Sequence, residues 1–164
     1  MLTGGGYDGQ TSLEFIKHCP KYKSIYIFEP SKENLKAYKN IHFISKGLSN
    51  KEDILKFDTS LGSASSISEE GSVEIYVDTL DNIVNEKITF IKMDIEGAEG
   101  MAIEGMKKHI SEDYPKLAIS VYHKADDFWK IPEQILAIRD DYDLYMRHYT
   151  EGTDETVMFF IPNK

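Results

Sequence analysis

Apolar positions along the chain switch between a strand period and a helix period, most abruptly at Ile91-Lys92-Met93-Asp94-Ile95-Glu96-Gly97-Ala98-Glu99. An apolar run from Ile88 to Met93 stops at two carboxylates spaced i, i+2. After Gly97 a helical pattern buries Ala98, Met101, Ala102, Met106 and Ile110. This is the signature of a buried strand that delivers acids to the start of a helix. Ligands of open α/β sheets bind beyond the carboxyl ends of the strands. Asp94 and Glu96 therefore stand where a ligand is expected.

The same reading predicts strands at Ser24 to Phe28, Ile41 to Ser45, Leu117 to Tyr122, Leu144 to Tyr149 and Thr156 to Ile161. Shorter strands at Ile54 to Phe57 and Val73 to Val77 flank Thr59 to Gly71, a Ser-, Gly- and Glu-rich stretch that reads as a mobile loop over a site or a solvated connection. Thr11-Ser12-Leu13-Glu14 has capping-box spacing, with Leu13, Phe15, Ile16 and Cys19 on the inner helix face. Ser31 caps a helix carrying Leu35 and Tyr38 inward, and Asp78-Thr79-Leu80-Asp81 starts a short helix with Leu80, Ile83 and Val84 inward. Phe128, Ile131, Ile135 and Ile138 recur at helical spacing, in a helix that Pro132 can enter only in its first turn.

Strands alternating with helices predict a doubly wound, mostly parallel sheet. The ending departs from that pattern. Six residues separate Tyr149 from Thr156, far short of the roughly dozen that a parallel crossover needs. The last two strands must form an antiparallel hairpin. The fold class is thus α/β, Rossmann-like, in a single domain over residues 1–164.

Composition narrows the partners. A net charge of −9 argues against a nucleic-acid backbone and offers no basic patch to a membrane surface. No run reaches the ~18 apolar residues of a membrane span, and no signal peptide is expected. The single cysteine, Cys19, excludes an internal disulfide and fits a reducing, cytoplasmic setting. It reads as a small helix-end hydrophobe rather than a catalytic thiol.

The N-terminal Gly4-Gly5-Gly6-Tyr7-Asp8-Gly9 is either a phosphate- or nucleotide-type turn opening a helix or an unstructured start. Glu29 at the tip of the next strand, about 20 residues on, has the placement of an acid that accepts ribose hydroxyls, the alternative being a solvated strand-end carboxylate. Gly4-x-Gly6-x-x-Gly9 with Glu29 literally fits the dinucleotide fingerprint, which makes an NAD-binding oxidoreductase a rival reading. Against it stand the terminal hairpin and the lack of residues for a substrate domain.

A parallel sheet with a terminal antiparallel strand is the arrangement of class I S-adenosylmethionine-dependent methyltransferases. At residue level the chain resembles the FkbM family of methyltransferases through Gly5-Gly6-Tyr7-Asp8-Gly9-Gln10-Thr11, Ile25-Tyr26-Ile27-Phe28-Glu29-Pro30, Val77-Asp78-Thr79-Leu80-Asp81 and, most specifically, Ile91 to Glu99. The resemblance implies S-adenosylmethionine as cofactor. Gly5 and Asp8 would face its methionine moiety, Glu29 its ribose, Leu48 and Ser49 its adenine, and Asp94 its sulfonium, where a carboxylate is electrostatically favoured. One position departs from the family pattern. The acid that ends its first strand is replaced by Thr3, and only Met1 and Leu2 remain of that strand. The first strand is therefore expected to be shortened, its N-terminal part missing, leaving an edge or groove that a second subunit could cover.

The implied reaction is O-methylation of a hydroxyl on a sugar, glycolipid or natural product. A hydroxyl acceptor benefits from a general base. His123, at the end of the strand after Asp94, is a candidate, its alternative being an ordinary loop histidine; Asp94 is the competing base. Glu96 could contact the acceptor or cap the following helix. Asp94, Glu96 and His123 could hold a divalent cation, but nothing in their spacing demands one and no metal is assigned. Trp129, Tyr142, Tyr145 and Tyr149 read as core or hairpin packing rather than an acceptor pocket. A non-catalytic binder with an altered first motif is the remaining alternative.

Overall fold

In a computed structural model of the chain, the described residues are 1–5, 10–30, 40–58, 66–67 and 73–163. Seven strands form the large sheet: β1 (Leu2–Gly4), β2 (Ile25–Phe28), β3 (Ile41–Ile44), β8 (Phe90–Met93), β9 (Lys116–Ser120), β10 (Tyr142–His148) and β11 (Thr156–Pro162). Their spatial order is β10-β11-β9-β8-β1-β2-β3. The strands from β3 to β9 run parallel, whereas β11 is antiparallel to both β9 and β10. The short connection before Thr156 thus makes the predicted hairpin, its turn using Glu155 at φ +62°.

A second sheet has the order β4-β7-β5-β6, with β4 (Gly47–Leu48), β5 (Asp53–Asp58), β6 (Ser66–Ile67) and β7 (Val73–Asp78). The helices among the described residues are α1 (Gln10–His18), α2 (Leu80–Ile83), α3 (Glu99–Glu104), α4 (Lys107–Asp113) and α5 (Asp127–Ile138). None of the described helices is long and apolar enough to cross a membrane.

The core lies between the large sheet and its helices. Leu2, Ile91, Met93 and Ile119 contribute from the strands, and Leu80, Ile103, Met106, Ile110 and Ile135 from the helices. β1 is short but central, with Thr3 opposite both Ile27 and Lys92. Over Leu2–Gly4 it is therefore paired on both sides, and the described residues leave no open edge there.

Four local expectations are corrected. α1 already includes Gln10, so Thr11 lies inside the helix rather than at its cap, and Glu14 pairs with Lys17 at 2.6 Å on the surface. Cys19 falls past the helix end and is exposed instead of packed. The helix after Gly97 is divided into α3 and α4. At the break, a Cβ on Gly105 would lie 1.9 Å from the Ser49 carbonyl oxygen, so a close backbone approach interrupts the helix while Met106 stays buried. Pro132 sits inside α5, beyond its first turn. That helix starts early because the Asp126 carbonyl accepts the N–H groups of Trp129 and Lys130, which leaves Phe128 41% exposed. Ser31, Leu35, Tyr38, Asp8 and all of the Thr59 to Gly71 loop except Ser66 and Ile67 lie outside the described residues.

The motif Val77-Asp78-Thr79-Leu80-Asp81 is a structural clamp. Asp78 accepts from Lys46 Nζ (2.7 Å), Asn82 Nδ2 (3.0 Å) and the Thr79 N–H (2.8 Å), tying β4 to β7 and to α2. The carboxylate of Asp81 accepts the N–H groups of Lys108 and His109 at the otherwise uncapped start of α4. Burial alone would raise the pKa of Asp78, but Lys46, Asn82 and the Thr79 N–H outweigh it and hold the carboxyl below its ordinary range.

A depressed native pKa stabilises the fold above the unfolded value of about 3.9, and the contribution is lost as pH falls through the native value. Lys46→Ala should therefore cost about 1.5–3 kcal/mol at pH 7 in urea unfolding. The gap from the unchanged chain should close in acid once Asp78 is protonated. A gap independent of pH would reject the clamp.

Candidate active site

Parallel neighbours β1, β8 and β9 end on one edge of the sheet and deliver Gly5, Asp94 and the Tyr122-His123 pair to it. The ladder continues past the strand ends, with the Gly5 N–H donating to the Phe28 carbonyl and the Asp94 N–H to the Gly4 carbonyl, both at 3.2 Å. Gly5 has φ +74°, and a Cβ there would lie 1.7 Å from the Asp94 carbonyl oxygen. Only glycine permits this approach. Gly5 and the acid of the most specific motif are thus in direct backbone contact.

Asp94 and Lys92 share a strand face, as i, i+2 spacing requires, and Lys92 Nζ lies 3.3 Å from Asp94 Oδ2. The Tyr122 hydroxyl donates to Asp94 Oδ1 at 3.2 Å. Beyond Asp94 the chain turns sharply, with Glu96 at φ +55° and Gly97 at φ +88°. The N-cap of α3 is Ala98, without a side-chain cap bond, so Glu96 does not cap that helix. Glu99 turns back instead and accepts the Ile95 N–H at 2.8 Å.

His123, its side chain only 8% exposed, is enclosed by these acids. Nδ1 lies 3.1 Å from Glu99 Oε1, and Nε2 lies 3.4 Å from both Asp94 Oδ1 and Glu96 Oε2. These are ion-pair distances without hydrogen-bond alignment, and neither ring nitrogen has a hydrogen bond among the described residues. The Tyr122 ring packs on the imidazole with centroids 4.1 Å apart. Behind it, buried Asp127 accepts the Lys124 N–H at 3.0 Å, and Lys124 Nζ donates to the Gly97 carbonyl. Burial by itself would lower the pKa of His123, but Glu99, Asp94 and Glu96 reverse that and raise it. Burial raises Glu96, which His123 draws back and Asp94, Glu99 and Glu155 push up further. Burial, with Asp94 and Glu155, also drives the Tyr122 phenol far above its ordinary range, so Tyr122 stays a neutral donor.

The structure brings together Gly5, Asp94, Glu96 and His123 of the expected residues. Glu29 follows β2, next to β1, and its N–H donates to the Ile44 carbonyl at 3.1 Å. Leu48 is core, close to Gly4, and Ser49 is buried with its N–H on the Asp78 carbonyl. Asp8 is outside the described residues. Tyr142 is core, its hydroxyl donating to the Pro115 carbonyl, whereas Trp129, Tyr145 and Tyr149 are exposed. Glu99, Lys92 and Tyr122 escaped the sequence reading. Lys92 was legible from strand period alone, whereas Glu99 and Tyr122 join the site only through the turn at Glu96 and Gly97 and the register of β8 with β9.

Seven strands with a penultimate-in-space antiparallel strand, carrying acids and Gly5 at one carboxyl edge, define a methyltransferase-type Rossmann-like fold. The profile of the methyltransferase FkbM domain matches residues 4–151, and the chain belongs to that family. It is similar to the crystal structure of methyltransferase FkbM from Methylobacillus flagellatus KT, with 29% identity and a TM-score of 0.81, over 98% of this chain and 42% of that one. The chain thus spans less than half the length of that relative. Two more distant structures share the fold. Precorrin-6y C5,15-methyltransferase from Geobacter metallireducens GS-15 has 13% identity and a TM-score of 0.54, covering 98% of this chain and 76% of that one. SMU.1697c from Streptococcus mutans, in complex with SAH, has 14% identity and a TM-score of 0.51, covering 97% of this chain and 86% of that one. No curated protein sequence matches the chain.

Gly5→Ala should cost more than the roughly 1–2 kcal/mol of a left-handed residue, because the methyl group also meets the Asp94 carbonyl. Gly100→Ala, inside α3 with its nearest neighbour Gln134 Oε1 at 3.5 Å, should be neutral or stabilising by up to about 1 kcal/mol. Equal effects of the two in urea unfolding would refute the close approach.

Proposed function

We propose that this domain transfers a methyl group from S-adenosylmethionine to a hydroxyl oxygen of a small-molecule or carbohydrate acceptor, in a cytoplasmic setting. The observation that carries the reading is the backbone contact between Gly5 and Asp94, with Glu29 at the tip of the next strand but one from Asp94. A cationic cofactor laid across these strand ends would have its ribose at Glu29 and its sulfonium beside Asp94. The surrounding acids give that edge a negative field. Gly5 and Asp8 would border the methionine moiety, and Leu48 and Ser49 the adenine.

In the transfer, the acceptor oxygen forms a bond to the methyl carbon as the carbon–sulfur bond breaks, its electron pair passing to sulfur. The hydroxyl proton leaves to a base. Asp94 and His123 are the groups at hand to take it, and Glu96, the most exposed of the three carboxylates around His123, faces an incoming acceptor. Alignment of donor and acceptor supplies most of the rate in such a displacement.

Calorimetric titration separates this reading from its rivals. S-adenosylmethionine should bind with micromolar affinity and NAD should not; binding of NAD alone would identify a dinucleotide oxidoreductase instead. Glu29→Ala should weaken S-adenosylmethionine binding about tenfold or more with the unfolding midpoint retained. Undiminished affinity would remove Glu29 from the ribose site.

A further inference from the structure

Glu99 has no exposed surface, and its Oε2 atom has no hydrogen-bond partner among the described residues. The same holds for both ring nitrogens of His123, whose side chain is more than nine-tenths buried. Leaving one buried polar atom unpaired costs about 1–3 kcal/mol, and more where the group is charged. Here three such atoms belong to two residues that face each other. Asp94 and Glu96 complete the ring of acids about the imidazole, at 3.4 Å from Nε2. With three carboxylates and one imidazole the cluster stays net negative even when His123 is protonated. The nearby cations do not cancel it: Lys92 reaches Asp94 alone, and Lys124 is spent on the Gly97 carbonyl.

We propose that this cluster is a divalent-cation site, with Asp94, Glu99 and His123 as ligands and Glu96 at its open side. One donor atom from each of the three ligands lies within 4.8 Å of the others. That spread is a few tenths of an ångström above the roughly 4.0–4.4 Å between opposite ligands held about 2.0–2.2 Å from a shared ion, within reach of small side-chain adjustments. Carboxylate oxygens combined with one imidazole nitrogen suit a first-row ion such as Mn²⁺, between the all-oxygen sites of Mg²⁺ and the nitrogen- and sulfur-rich sites of Zn²⁺. A cation there gives one orphaned ring nitrogen of His123 and a buried carboxylate oxygen of Glu99 a partner at once. The Ile95 N–H on Glu99 Oε1 then orients a ligand rather than merely starting a helix.

The site itself stands apart from the methyl-transfer reading, but its use would rest on it. A cation beside the sulfonium position holds an acceptor hydroxyl and eases loss of its proton. It also turns His123 from a proton acceptor into a ligand, leaving the acceptor's proton to a carboxylate.

The test titrates Mn²⁺ into the metal-stripped chain without cofactor and follows loss of the free-ion electron paramagnetic resonance signal. One Mn²⁺ per chain should bind. Asp94→Asn and Glu99→Gln, the latter keeping an oxygen for the Ile95 N–H, should each weaken binding about tenfold or more. The distant exposed Glu112→Gln should bind as the unchanged chain does. Circular dichroism establishes that each variant is folded; should Glu99→Gln unfold, Asp94→Asn and a rise in the melting temperature of the unchanged chain with Mn²⁺ decide alone. No uptake at millimolar Mn²⁺, or uptake untouched by Asp94→Asn, would overturn the proposal. S-adenosylmethionine binding measured in EDTA is scored separately: cofactor binding without Mn²⁺ uptake sinks only the cation site, and Mn²⁺ uptake without cofactor binding sinks only the methyltransferase reading.

Discussion

The contact between the Gly5 backbone and the Asp94 carbonyl is the constraint on which the candidate site depends. It exists because β1 and β8 are parallel neighbours whose ends stay in register one residue beyond the ladder, and because Gly5 adopts φ +74°. A residue with a Cβ would push the two strand ends apart. A ligand crossing from Gly5 to Asp94 would meet backbone and carboxylate together. The three-residue β1 is sufficient for this because it is paired along both sides and fully buried at Leu2 and Thr3.

Around that contact the chain concentrates negative charge where burial makes it costly. Asp94, Glu96 and Glu99 converge on His123 through a tight turn that needs left-handed backbone at Glu96 and Gly97. Turn strain and crowded acids of this kind cluster at functional sites. Elsewhere the protein treats buried and half-buried acids differently. Asp78 is satisfied by a lysine, an asparagine and a backbone N–H, and Asp113 by His109 and the Ile88 N–H. The contrast between these closed networks and the open one at His123 separates clamp from site.

The fold was largely legible because its evidence is local or arithmetical. Apolar runs ending in acids marked β8, and a six-residue connection forced the terminal hairpin. What was not legible depended on tertiary contact. The helix after Gly97 breaks only because Gly105 lies against Ser49, and Phe128 turns outward because α5 begins a turn before Pro132. The site was half legible. Asp94 follows from its strand, and His123 from the next, but Glu99 had no role beyond its place at the end of the Ile91 to Glu99 motif. Its role emerges only from the turn that folds it back under Ile95. The motif at Asp78 and Asp81 carried family identity without site chemistry, since both acids are occupied in holding α2 and α4.

The carboxyl edge spanning β2, β1 and β8 is the proposed seat of the methyl donor. The most direct measurement is a crystal structure with S-adenosylhomocysteine, the product left after transfer. Its ribose hydroxyls should lie within hydrogen-bond reach of Glu29 and its sulfur beside Asp94, above Gly5. Density for the nucleoside in the groove between α3 and α5, or anywhere that leaves Glu29 and Asp94 untouched, would contradict it.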